Sequence, residues 1–205
     1  MTLKQKIVKI ARSECRNNYV KFYLGRGKSV QYVSDHKLRV NGFFDSDPDI
    51  GRPKLACAIG RPNWELVLVH ELNHLRQWKE DSQIWCDYEK IPGNRLDEAI
   101  SGKDIDPKEL EENIRATILL ERDCERRTHN TLKELGYPEK KLKEYVQRGN
   151  AYTIFYLNIL KTKKWYAIGK EPHSLKSVWC HFPTTFDIDI DKTFKKLGYL
   201  YNQCL

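Results

Sequence analysis

The sequence predicts an α+β chain, mainly helical, with a small sheet just ahead of one strongly apolar helix. Three observations carry that reading. Apolar residues recur at helical spacing near 3–16, 64–78, 107–135 and 139–161. Short runs rich in Val, Tyr and Phe, punctuated by Gly and Asn, fill the interval from 30 to 60. Within the second helical stretch a His-x-x-x-His pair interrupts an otherwise apolar face.

Leu3, Ile7, Ile10, Ala11 and Cys15 lie on one face of a first helix, and Gly25-Arg-Gly27 then breaks the chain. Val30, Tyr32 and Val33, then Leu38, Val40 and Phe43, predict two short strands, with a turn signal at Asn41-Gly42. The stretch from Asp45 to Gly51 is a polar loop; its aspartates lack the Glu that would close a calcium loop. Lys54-Leu-Ala-Cys-Ala-Ile-Gly60 reads as a strand. Its edge can pair with an extended peptide, or it can be an ordinary buried strand.

Pro62-Asn63 starts the main helix, with Asn63 as N-cap. After Trp78 a long polar connection carries Trp85, Tyr88 and a short helix near 96–100. Asp106-Pro-Lys-Glu109 opens a long helix as cap, first-turn proline and capping-box partner, and Gly136-Tyr-Pro138 closes it. A further helix runs from Glu139 to about Lys161, with an aromatic stripe that either packs in the core or walls a substrate site. From Glu171 onward the chain reads as irregular and wrapped over the body.

The chemistry concentrates at His70-Glu71-Leu-Asn-His74. Two His four residues apart stand one turn above each other on a helix and aim at one point. Glu71, rotated by about 100°, can reach a water bound there. That residue set suits Zn2+, with two imidazole ligands, an open position and a carboxylate as general base. A third ligand is expected downstream. On the long helix the stripe Leu110, Ile114, Ile118, Thr128, Leu132 includes Glu121 and Glu125 at the intervening steps. Carboxylates on a buried face are costly unless a cation or strong donors satisfy them. Zinc would do so, with Glu121 as ligand and Glu125 supporting a ligand imidazole; alternatively the stripe drifts and both face solvent among Arg122, Arg126 and Arg127.

The segment Glu121-Arg-Asp-Cys124-Glu125-Arg-Arg-Thr128 following His-Glu-x-x-His resembles the gluzincin branch of zinc metallopeptidases, with Cys, Glu and Thr where Ala, Asp and Ala are usual. The chain also resembles small metallopeptidase-like proteins of bacteriophages. The resemblance covers about 64–128. It implies a zincin-like fold and zinc-dependent hydrolysis of a protein or peptide substrate. It further implies His70, His74 and Glu121 as metal ligands, Glu71 as catalytic base, and Glu125 behind a ligand ring. An oxyanion donor is also required, with Tyr152, Tyr156, His129, His173 and His181 as candidates.

The length fits one domain over 1–205, with the metal-site core at about 54–136 and a helical and irregular part at 139–205. No apolar run approaches a membrane span, and the first residues lack a signal peptide's apolar stretch. Six scattered Cys without a C-x-x-C pair suggest free thiols and a cytoplasmic address, a host's cytoplasm if phage-encoded. The net charge of +8 is segregated: +7 over 1–60, −5 over 61–138 and +6 over 139–205. The basic ends either meet a polyanion or pack against the acidic middle. A nucleic-acid-associated protein is therefore the alternative, either a DNA-linked protease or a binder with structural zinc. A DNA-linked protease is expected to use a His as third ligand, and chelation by His129 rather than Glu121 would favour it. Lys161-Thr-Lys-Lys-Trp165-Tyr166 is a short basic and aromatic cluster in that vein. Cys180-His181 is a candidate metal pair, and a catalytically dead scaffold would not need Glu71. Oligomeric state is not legible.

Overall fold

The computed structural model describes residues 1–32, 38–47, 51–91 and 95–205. Val33 of the first expected strand and residues 48–50 of the aspartate-rich loop lie outside the described residues. The chain is mainly helical, with a small sheet ahead of the helix that carries the histidine pair. It divides into two compact units, Met1–Ser82 and Gln83–Leu205.

The first unit opens with α1 (Leu3–Asn17). Thr2 and Gln5 form a reciprocal capping box: Thr2 Oγ1 accepts from the Gln5 amide at 3.3 Å, and Gln5 Oε1 accepts from the Thr2 amide at 2.8 Å. Ile7, Ala11 and Cys15 form its buried face. Among the described residues the strands that follow are β1 (Lys21–Gly25), β2 (Val30–Gln31), β3 (Arg39–Val40), β4 (Gly42–Asp45) and β5 (Lys54–Ala58). Three make one sheet in the order β1-β5-β4, and β2 pairs with β3 in a separate ribbon. Strand β5 runs parallel to β1 and antiparallel to β4. The helix α2 (Trp64–Lys79) packs on β5 and β4, and α1 packs on α2 and β1.

Four expectations change here. Strand β1 was not among the expected elements, although Lys21, Phe22, Tyr23 and Leu24 alternate between exposed and half-buried. The expected strand through Leu38, Val40 and Phe43 is two elements, β3 and β4, belonging to different sheets. Strand β5 is central, with both edges already paired, so it is the buried strand and offers no edge to a peptide. Asn63 does precede α2, but it sits in the left-handed region (φ 58°) and its side chain makes no capping bond.

The second unit comprises α3 (Gln83–Glu89), α4 (Arg95–Ile100), α5 (Pro107–Glu134), α6 (Glu139–Thr162), α7 (Lys176–Trp179) and α8 (Ile190–Leu197), closed by a 3-10 turn at Gly198–Gln203. Asp106 Oδ1 accepts from the Lys108 and Glu109 amides at 2.9 and 3.1 Å, capping α5 as its sequence predicts. The Glu109 carboxylate pairs with Arg95 Nε at 3.1 Å. Gly136, at φ +79°, supplies the left-handed turn that stops α5. Helices α5 and α6 form the body of this unit. Leu110, Ile114 and Ile118 meet Ile154, Phe155 and Ile159 in a core that Trp179, Phe182 and Tyr201 complete. The segment after Glu171, read as irregular, therefore folds into two short helices and a 3-10 turn, whose apolar residues enter that core.

Candidate metal centre

Leu68, Val69, Leu72 and Leu75 are the buried apolar residues of α2, and their burial sets the rotation of the helix and hence the direction of its polar side chains. Gly42 on β4 governs how closely the sheet approaches. A Cβ there would stand 2.7 Å from Val67 Cγ1, 3.0 Å from the Ala56 carbonyl oxygen and 3.2 Å from Glu71 Cγ. Only glycine lets the strand lie against α2 beside Glu71.

On this helix His70 Nε2 and His74 Nε2 lie 3.1 Å apart, with the rings edge to face at 83°. His74 is buried, and its Nδ1 stands 2.8 Å from the Oε1 of Gln77, which is fully enclosed. The Gln77 oxygen can only accept, so Nδ1 of His74 carries the proton and Nε2 presents its lone pair. Two imidazole nitrogens converging at this distance suit a shared cation, since each then accepts it with a lone pair. Glu71 stands next to the first histidine, half-buried and against the sheet at Gly42. It also helps burial push the Cys57 thiol up to about 12, with Glu65 adding a smaller push.

Among the described residues, the group of three able to hold a metal ion is His70, His74 and Cys124, whose ligand atoms lie within 4.8 Å of one another. The third member is therefore Cys124 and not Glu121. This overturns the gluzincin resemblance, which requires the Glu of an Glu-x-x-x-acid helix. Cys124 is fully buried and Glu121 only partly so. Two imidazoles and a thiolate are a borderline-soft donor set that suits Zn2+. The arrangement of His70, Glu71 and His74 supports a zinc-dependent peptidase mechanism with Glu71 as general base.

The other expected site residues lie on the second unit. Glu125 is buried on α5, where Gly149 of α6 makes room for it: a Cβ there would meet Glu125 Oε2 at 3.1 Å. Tyr152 and Tyr156 share a hydrogen bond, their hydroxyl oxygens 3.0 Å apart on α6. Burial pushes both phenols well above their ordinary value; the Tyr156 and Glu121 charges add to this for Tyr152, and the Glu121 charge for Tyr156. The His173 ring packs edge-on against Tyr152, and His129 against Phe186. His181 and Cys180 are exposed, and neither they nor His129 join a metal-holding group among the described residues.

Sequence reasoning missed Cys124 and Gln77. Cys124 lay inside the quoted Glu121–Thr128 segment but stood as a substitute for alanine. Gln77 sits three residues past His74, the spacing that brings two side chains together on a helix, and that was the available signal. Set against family models, curated proteins and solved structures, the chain matches none, so its reading rests on the α2 residues and Cys124.

Proposed function

We propose that this chain is a zinc-dependent peptidase acting on protein or peptide substrates in the cytoplasm. One observation carries the reading: converging His70 and His74 Nε2 atoms 3.1 Å apart, with Glu71 between them in sequence. His70, His74 and Cys124 would hold the ion. When bound, zinc lowers the pKa of a coordinated water towards about 7 and polarises a carbonyl. The chain's own residues do the rest. Gln77 keeps His74 in the tautomer that leaves Nε2 available. Glu71 takes the proton of the attacking water and returns it to the leaving amine. Tyr152 and Tyr156 are our proposed oxyanion donors, held protonated by burial and thus able to donate. To Glu125 we assign the support of a ligand ring other than His74. No helix among the described residues is long and apolar enough to cross a membrane. The address is proposed from six cysteines carried as free thiols.

Glu71→Gln separates binding from chemistry. Metal analysis should find about one zinc per chain in both forms, while peptide hydrolysis falls by about 10²–10⁴-fold in the variant. Wild-type activity in Glu71→Gln, or a His70→Ala variant with unchanged zinc, would reject the proposal.

A further inference from the structure

A cavity of about 570 Å³ lies within the first unit, away from the histidine pair's face, between α1 and the start of α2. Its floor is apolar, made by Val8, Leu24, Ile59 and the Trp64 ring. Its wall is cationic, because Lys4, Lys9, Arg12 and Arg16 all line it from α1. From Lys4 to Arg16 the helix rises about 18 Å, so the wall presents roughly one positive charge per turn. Lys4 is partly neutralised by Glu65, 3.4 Å away, and lies 5.6 Å over the Trp64 ring. Among the described residues no ion pair engages Lys9, Arg12 or Arg16.

We propose that this groove is a docking site for an acidic amphipathic peptide segment, whose apolar anchors meet the floor and whose carboxylates meet the wall. Charge complementarity selects an acidic partner, and the floor selects a peptide. Single-stranded nucleic acid is read by several aromatic platforms on which bases stack. Here three of the four floor residues are aliphatic, and the one indole already carries the Lys4 ammonium. Trp64 is the first residue of α2, six before His70, so the groove and the metal-binding histidines share one rigid helix. The inference rests on the peptidase reading in assigning the partner as substrate: the enzyme would grip protein substrates through an acidic stretch outside the bond it cleaves.

The test uses the full chain carrying Glu71→Gln, so that probes survive. The first probe is a fluorescein-labelled peptide with Leu at i, i+3, i+4 and i+7 and Glu elsewhere; the second is labelled oligo-dT. Anisotropy should show saturable, salt-sensitive peptide binding, weakened at least about tenfold by the paired substitutions Lys9→Glu and Arg12→Glu on the exposed face of α1. In chains with Glu71 intact, that pair should leave hydrolysis of a short neutral peptide unchanged. Peptide binding indifferent to the two reversals overturns the proposal. So does oligo-dT that displaces the peptide and itself depends on Lys9 and Arg12, since the groove would then be a nucleic-acid site. Charge-dependent peptide binding in a chain that hydrolyses nothing would uphold the groove while rejecting the peptidase reading.

Discussion

Gln77 decides which nitrogen of His74 is free. With its oxygen 2.8 Å from Nδ1, the neutral ring must keep its proton on that side, away from His70. Gln77→Leu removes the acceptor without changing the apolar packing greatly, and the ring can then turn over or change tautomer. Zinc affinity should fall by about 10–100-fold, measured by chelator competition, and Gln77→Glu should restore it because a carboxylate also accepts. Unchanged affinity in Gln77→Leu would remove Gln77 from the site. The third ligand is tested by a contrast between neighbours on α5. Cys124→Ala should sharply lower zinc content and abolish the sulfur-to-metal charge-transfer band of the cobalt-substituted chain, whereas Glu121→Ala should keep both. The opposite pattern would reinstate a carboxylate.

At the level of elements, β4 and α2 touch through a position that tolerates no side chain. Gly42→Ala places a Cβ 3.0 Å from a backbone oxygen, 2.7 Å from Val67 and 3.2 Å from Glu71, so strand or helix must shift. The expected cost is about 1–3 kcal/mol by denaturant unfolding. Hydrolysis should fall further than the lost stability explains, because Glu71 shifts with the helix, while zinc is retained. Gly27→Ala is the control, since its nearest contact would be an ordinary 3.5 Å. Equal behaviour of the two variants would show that the contact does not position Glu71. The same elements mark what the sequence could convey. Helical spacing is local, so α2, α5 and α6, the Asp106 cap and the Gly136 stop were all readable, and with them the pairing of His70 and His74. Strand order is not local: that β5 lies between β1 and β4 depends on residues 21–25 pairing with 54–58, which no spacing within either segment announces. Helix α3 was hidden because seven residues without a clear cap look like loop. Cys124 was hidden for a chemical reason: a cysteine on an apolar stripe packs like a small hydrophobe, whereas a carboxylate such as Glu121 there demands a partner.

Across the whole chain, buried acids that prefer their neutral form tie stability to alkaline pH. Burial pushes the thiols of Cys15 and Cys57 from an ordinary 9.0 to about 12, aided by Glu14 in the first case and by Glu71 and then Glu65 in the second; burial pushes Cys204 to about 11. Below pH 9 these thiols are protonated whether the chain is folded or not, and their contribution is fully present. Above pH 9 the unfolded chain releases the proton while the folded chain keeps it, so unfolding gains free energy with each further unit of pH. Tyr152, Tyr156 and Tyr201 act in the same direction from about pH 10. Lys54, lowered by burial and by Lys21, and Arg122, lowered by burial and by Arg126, act in the opposite direction, but they are two groups against six. Thermal melts in reducing buffer should therefore hold level up to about pH 9 and decline from there towards pH 12. Cys57→Ala should melt lower at pH 8, having lost packing, yet decline less steeply above pH 9 because one of the linked protons is gone. Because Cys15 and Cys57 lie in the first unit and Cys204 in the second, both units should take part in the alkaline decline. Hydrogen exchange followed at pH 8 and pH 10 reports each unit separately, once corrected for the faster intrinsic exchange in base. Protection unchanged in either unit, or a melting curve flat through pH 11, would show that these thiols ionise without opposing the fold.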